Sequence, residues 1–225
     1  MKDRRSFLHT GAVPAALALG GLALTQEAQA QDKGKAPFVP ARHDKDDWYD
    51  TIPGRHRVIF DTTSGHAFGE ALLFANNYFT ANRSDYGLQN SDLAVIIVAR
   101  HSSTPFAYNE AMWTKYGQKL DRSEFKDPKT NERIKTNIFN ATGYGTQLSN
   151  YGTTVDAAIK LGIHFAVCGM ATRAIAGILA GPGGNTQAVY EELAANLVAN
   201  AHIVPAGIVA VSRGQEHGYT LVTAA

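Results

Sequence analysis

The sequence predicts an α/β fold: an open, mostly parallel sheet of about five strands with helices on both faces. Residues 93–99 form a continuous apolar run with polar flanks, which is typical of a strand buried on both faces of a parallel sheet. Further stretches rich in apolar residues, at 57–63, 163–168 and 203–211, alternate with segments whose apolar residues recur at helical spacing. Strands that alternate with helices are joined by crossovers, and crossovers favour a parallel sheet.

The first elements can be placed in chain order. The strand at 57–63 is followed by a turn at Gly65 and by a helix with a regular apolar face. After the strand at 93–99, Thr104 and Pro105 predict the start of a short helix, because Thr caps helices and Pro suits the first helical position.

The second half of the chain supplies four further elements. They are helices at about 148–161 and 186–199, a strand at 203–211 with a break near its start, and an edge strand at 219–223.

A polar insertion at about 118–145 interrupts this alternation. Its few apolar anchors are Ile134, Ile138 and Phe139. A connection of this length in a compact domain is typical of a functional segment such as a lid. A solvated insertion or an oligomer contact would fit equally well, and the sequence leaves these alternatives open.

Residues 1–30 are predicted to be a twin-arginine signal peptide. Arg4 and Arg5 precede Ser-Phe-Leu, and the apolar run at 11–24 is too short to span a bilayer comfortably. Ala28-Gln29-Ala30 matches a small-residue cleavage site. The mature protein is therefore expected in the periplasm, exported by the twin-arginine route.

Beyond the signal, the prediction is a linker and capping segment at 31–53 and one α/β domain at 54–225. Trp48 and Tyr49 are expected to dock on the domain. Removal of the signal leaves 18 basic and 18 acidic residues. This balance gives no indication of nucleic-acid binding or of binding to an anionic membrane, and no other apolar run is long enough to cross a bilayer.

Cys168 is the only cysteine among the 225 residues, so an intrachain disulfide is impossible. It ends an apolar strand, Gly169 turns the chain, and a helical segment is predicted to begin near Arg173. The carboxyl edge of a sheet is where α/β folds collect ligands and chemistry, and the amides and dipole of a following helix favour a thiolate. A buried, inert thiol is the alternative, and the sequence leaves both open.

Two histidines accompany Cys168 as candidates. His66 follows the first strand and His101 follows the second. If the three strands are neighbours, two imidazoles and a thiol share a crevice at the switch point of the sheet. No cofactor is expected, with one alternative: His66, His101 and Cys168 are ligand types that suit zinc or copper, although no short spacing supports such a site.

Three motifs resemble the DsrE/DsrF-like family of sulfur-relay proteins: Gly-Ile-His-Phe-Ala-Val-Cys at 162–168, Pro-Ala-Gly-Ile at 205–208, and Gln-Glu-His-Gly-Tyr-Thr-Leu at 215–221. The resemblance implies a compact α/β domain with a parallel sheet that assembles as a trimer or hexamer. It also implies, for some members, a persulfide on a cysteine placed like Cys168, whereas other members lack that cysteine. The well-known members are cytoplasmic, while this chain is predicted to be exported.

The leading hypothesis for function is a sulfur carrier or a sulfurtransferase-like protein. Cys168, as a thiolate, would attack a small sulfane-sulfur donor, hold the sulfur as a persulfide and pass it to a protein acceptor. His66 or His101, if protonated nearby, would favour the thiolate, and Arg173 could hold an anionic donor such as thiosulfate. The alternatives are the metal site and a non-catalytic assembly subunit in which Cys168 is core packing.

Overall fold

In the computed structural model, which describes residues 38–121 and 125–224, five parallel strands form one sheet. The predicted signal peptide lies outside the described residues, as does the linker up to residue 37. The spatial order is β4-β3-β2-β1-β5. The strands are β1 (His56–Thr62), β2 (Leu93–Ala99), β3 (His164–Cys168), β4 (Ala201–Val204) and β5 (Thr220–Thr223). The predicted fold class is confirmed, with every pairing parallel.

Helices cover both faces of the sheet. They are α1 (Trp48–Thr51), α2 (Gly65–Tyr86), α3 (Glu110–Tyr116), α4 (Val155–Leu161), α5 (Gly169–Ala180), α6 (Thr186–Ala195) and α7 (Gly207–Glu216). Residues of α2 to α6 pack in one apolar core, whereas α1 and α7 contribute to a second core. Among the described helices, none has the length and apolar character that crossing a bilayer requires.

Successive side chains along a strand point to opposite faces of the sheet and so belong to different cores. Val58 and Phe60 of β1 belong to the core beneath α2, while Ile59 between them belongs to the core beneath α7. All seven residues of β2 are buried, because this strand lies near the middle of the sheet with helices above and below it. The continuous apolar run at 93–99 therefore coincides with β2.

The predicted strand at 203–211 is wrong beyond its second residue. Strand β4 ends at Val204, and Gly207 begins α7. Ala210, Val211 and Gly214 are buried at helical spacing, whereas Ile208 is exposed. Short apolar runs fit a strand or a helix equally well by pattern alone, and the position of Pro205 and Gly207 marked a boundary between two elements, not a break within one strand.

Other helix boundaries also differ from the prediction. Thr104 and Pro105 lie in a 3-10 helix at His101–Ala107. The following helix α3 begins one turn later, where the Asn109 side chain accepts a hydrogen bond from the amide of Met112 at 3.3 Å. Helix α4 is shorter than predicted because Thr154, its cap, accepts from the amide of Ala157 at 3.1 Å.

The polar insertion at 118–145 is anchored on the core through its few apolar residues. Ile134, Ile138 and Phe139 are buried, and the ring of Phe139 lies edge-on to Phe106, with centroids 4.9 Å apart. The buried Asn137 side chain donates a hydrogen bond to the carbonyl oxygen of Phe106 at 2.8 Å. The insertion therefore packs against the same core as α2.

The segment before β1 docks on the domain, as predicted for Trp48 and Tyr49. Tyr49 is fully buried and donates a hydrogen bond to the carbonyl of Ala210 at 3.1 Å. The Trp48 ring stacks on His202, with centroids 4.2 Å apart. His202 is therefore half-buried, and His217 is buried.

Candidate functional site

Cys168 is the last residue of β3 and the N-cap of α5. Its Sγ accepts a hydrogen bond from the amide of Ala171 at 3.4 Å, and the residue is only 7% exposed. The helix begins directly at Gly169 and not near Arg173, so the predicted intervening turn is wrong. The sulfur consequently accepts from an amide of the first helical turn, where the helix dipole favours negative charge.

Gly169 makes this tight junction possible. A Cβ atom at this position would lie 2.8 Å from the carbonyl oxygen of Val204 at the end of β4. Because that neighbour is backbone, it cannot easily move aside. The absence of a side chain at 169 therefore lets α5 start immediately after Cys168, close against the adjacent strand.

A buried chain of hydroxyl groups fixes the other side of the turn. Thr172 donates a hydrogen bond to the carbonyl of Cys168 at 2.9 Å, and Tyr108 donates to the Thr172 hydroxyl at 3.0 Å. Burial raises the pKa of Tyr108, and the hydrogen bond with Thr172 opposes the shift. Tyr108 therefore remains a protonated donor that holds the backbone under Cys168 in place.

Arg100 and Asp61 form a bidentate ion pair at the ends of β2 and β1. Arg100 Nε lies 2.7 Å from Asp61 Oδ1, and Nη2 lies 2.8 Å from Oδ2. The hydrogen bonds that Arg100 donates to Asp61 raise the pKa of Arg100, burial opposes the shift, and the charge of Asp61, with that of Cys168 when it is a thiolate, reinforces it. Arg100 is thus a fixed cation within electrostatic reach of the Cys168 sulfur.

His101 lies at the start of the 3-10 helix that follows β2, with a φ of +56°. This left-handed conformation is uncommon outside glycine, although His adopts it more readily than most residues. The imidazole is exposed, and its Nδ1 is 3.1 Å from the Ser102 hydroxyl. His101 lines a cavity of about 310 Å³, which also contacts Ala171, the residue whose amide donates to the Cys168 sulfur.

His66 is on the first turn of α2 and is exposed. Its Nε2 lies 3.5 Å from a carboxylate oxygen of Glu70, one turn along the same helix. His66 lines neither of the two cavities beside α5. The structure thus brings His101, but not His66, to a cavity that the first turn of α5 also lines.

Arg173 points toward α6. Its guanidinium lies over the ring of Tyr190, 4.2 Å from the centroid, and donates to the Gln187 side chain at 3.0 Å. It lines a second cavity of about 700 Å³ together with Gly169. Two cavities therefore flank the beginning of α5, and Arg173 and His101 lie at different ones.

Strands β1, β2 and β3 are neighbours, as expected, but the switch point of the sheet is not at Cys168. Strands β1, β2 and β3 are neighbours in parallel register, so their carboxyl ends share one edge. The strand order reverses between β1 and β5, however, which places the switch point of the sheet away from β3 and Cys168.

The metal alternative gains no support from the geometry. Within residues 38–121 and 125–224, no three His, Cys, Asp or Glu side chains lie close enough together to hold a metal ion. His66, His101 and Cys168 are therefore not a preformed zinc or copper site.

Sequence reasoning did not identify a pair of histidines at the opposite end of the sheet. His164 Nδ1 lies 3.1 Å from His202 Nε2 across β3 and β4, with the rings within 13° of parallel. Burial, and then the charge of His202, lower the pKa of His164 to about 4, and burial also lowers the pKa of His202. The available signal was that each histidine lies at the start of an apolar run, in strands that pair directly.

In comparisons with known proteins, no model of a protein family, no curated protein and no solved structure matches this chain. What is established is an α/β fold with a five-stranded parallel sheet, the carboxyl edge of which carries Cys168.

Proposed function

We propose that this protein is an exported sulfur carrier of the DsrE/DsrF-like type, which holds sulfane sulfur on Cys168 as a persulfide. The observation that supports this most is the position of the single cysteine as the N-cap of α5, with an amide hydrogen bond to its sulfur. Hydrogen bonds and helix termini that stabilise a negative sulfur promote thiolate chemistry. From the predicted twin-arginine signal we also propose a periplasmic location, and from the resemblance we propose assembly as a trimer or hexamer.

The proposed transfer needs no external oxidant. The Cys168 thiolate attacks the outer, sulfane sulfur of the donor, the donor S–S bond breaks, and a new S–S bond forms on the protein. With thiosulfate as donor, sulfite leaves with the bonding electron pair. The thiolate of a protein acceptor then attacks the outer sulfur of the persulfide, which returns Cys168 to its thiolate form.

Three neighbouring groups have distinct parts in this proposal. The Ala171 amide and the fixed charge of Arg100 stabilise negative charge on sulfur. His101, exposed at the smaller cavity, can offer a ring N–H hydrogen bond to an anionic donor or leaving group that enters that cavity. His66 and Arg173 receive no part in the transfer step, since one is paired with Glu70 and the other lies toward α6.

The low exposure of Cys168 favours a second candidate, a non-catalytic assembly subunit. A residue that is 7% exposed can act as a small apolar packing group. Iodoacetamide separates the two candidates, because only a thiolate reacts readily. Labelling of the native protein that accelerates with pH supports a carrier, whereas labelling that requires urea supports a packing role.

The decisive experiment is mass spectrometry of the mature protein after incubation with polysulfide or thiosulfate. We expect added sulfur on the peptide that contains Cys168 and none in Cys168→Ser. Urea-unfolded protein, treated in parallel, shows whether the reagent can modify this thiol at all. An unmodified thiol in the native protein, beside a modified one in the unfolded protein, would contradict the proposal.

A further inference from the structure

The larger cavity beside α5 has an unusual distribution of charge. It occupies about 700 Å³ between the first turns of α5, Tyr190 of α6, the end of β4 and the segment before α1. Its charged lining residues are Lys45 and Arg173, and no carboxylate lines it. The cavity therefore presents positive charge without a compensating acidic group in its wall.

The guanidinium of Arg173 is fixed in position by two neighbouring side chains of α6. Its guanidinium stacks on the Tyr190 ring, and one nitrogen donates to Gln187. Within the described part of the chain, neither Arg173 nor Lys45 has an ion-pair partner, in contrast to Arg100, which is paired with Asp61. A guanidinium fixed by stacking loses little freedom when it binds a carboxylate or phosphate with its remaining N–H groups.

The rest of the lining is largely apolar. Met170, Ala174, Ile203 and Pro205 form this part of the wall, and Met170 is exposed to 70%. A volume of this order falls within the range of about 300–1,000 Å³ that is typical of small-molecule pockets. It is larger than a bare inorganic anion requires, so an apolar body fits beside the anionic group.

We propose that this cavity binds a small organic anion. Its compact anionic group, a carboxylate or phosphate, pairs with Arg173 and Lys45, and its apolar body lies against Met170 and Pro205. The site is independent of the sulfur chemistry proposed above, since the Cys168 sulfur interacts with Ala171, which lines the other cavity.

The test is isothermal titration calorimetry of the purified protein with phenyl phosphate, which combines a dianionic group with a small apolar ring. We expect one site per chain, weaker binding of inorganic phosphate, and no binding of benzyl alcohol. Arg173→Gln and Lys45→Gln should each weaken binding of phenyl phosphate about tenfold, because each removes a charge-assisted contact.

Two matched variants control the experiment. Lys160→Gln removes an exposed charge from α4, outside the cavity, and should bind phenyl phosphate as the wild type does. Cys168→Ser should also bind normally, which distinguishes failure of this proposal from failure of the sulfur carrier. Absence of binding, equal affinity for inorganic phosphate, or equal weakening by Lys160→Gln would each overturn the proposed site.

Discussion

The sulfur of Cys168 caps α5 by accepting the hydrogen bond of the Ala171 amide at 3.4 Å. The atom proposed to carry sulfane sulfur is therefore also part of the helix terminus. Sulfur is a weaker hydrogen-bond acceptor than a hydroxyl oxygen. Cys168 is therefore a weaker N-cap than serine would be at the same position.

Cys168→Ala should destabilise the protein by about 1 kcal/mol more than Cys168→Ser does, because serine can still accept the Ala171 hydrogen bond and alanine cannot. The free energy of unfolding, measured by urea denaturation of the three proteins, tests this. Equal losses in the two variants would mean that the sulfur contributes to stability through packing and not through the cap.

The sheet could be predicted largely from apolar runs, because β2 is buried on both faces and every residue in it is apolar. The start of α5 could not. Glycine in a sequence commonly indicates a turn. Gly169 instead lets the start of α5 lie close to the backbone of Val204, which is a tertiary contact that the local sequence does not reveal. The segment at Ile208 is apolar enough for a strand, and only its packing beneath the sheet reveals a helix.

The candidate site was predictable only in its position. Neighbouring parallel strands bring Cys168 and His101 to one edge, because Cys168 is the last residue of β3 and His101 follows the end of β2. The pairing of Arg100 with Asp61 depends on the register of β2 against β1, in which Val98 lies opposite Asp61. Sequence patterns do not encode such registers between distant segments, so the pairing of Arg100 with Asp61 could not be predicted.

The Arg100–Asp61 pair should show strong energetic coupling. Asp61 has a side chain that is 10% exposed, against 26% for Arg100. Removing Arg100 therefore leaves the more buried charge unpaired, and Arg100→Met should cost about 3 kcal/mol, more than Asp61→Asn. The double variant should be more stable than the sum of the single losses predicts, because it leaves no lone charge.

A double-mutant cycle, with the free energy of unfolding measured in urea, gives this coupling directly. Strictly additive losses would show that the two side chains contribute independently.

Arg100 should also affect the reactivity of the Cys168 thiol. Arg100→Met should slow the reaction of native Cys168 with iodoacetamide at constant pH, because a cation near the sulfur is removed.

Gly207 should be intolerant of a side chain. A Cβ at this position would lie 2.3 Å from the Cβ of Arg100, an atom that cannot rotate away. Gly207→Ala should therefore destabilise the protein by about 1–3 kcal/mol, as expected for overpacking. Thermal unfolding monitored by circular dichroism provides the measurement.

Gly177→Ala is the matched control for this substitution. Gly177 lies inside α5, and the nearest atom to its added Cβ is 3.8 Å away. Alanine there should stabilise the helix by about 0.5–1 kcal/mol. If both substitutions had the same effect, the close approach of α7 to Arg100 would not be the determining factor.

The His164–His202 pair should make the protein less stable in acid. The pKa of His164 is lowered to about 4, mainly by burial and to a smaller extent by the charge of His202. A histidine in the unfolded chain has a pKa of about 6.5. Between these values the unfolded chain binds more protons than the folded protein does. Stability is therefore fully present above about pH 6.5 and falls as the pH decreases toward about 4.

His164→Gln should reduce this loss, because glutamine takes up no proton in either state. The free energy of unfolding in urea, compared between about pH 7 and about pH 4.5, should decrease less in His164→Gln than in the wild type. His43→Gln replaces an exposed histidine and should retain the wild-type dependence. An identical decrease in all three proteins would exclude the histidine pair as the source of acid sensitivity, since the proton uptake would then lie in other groups.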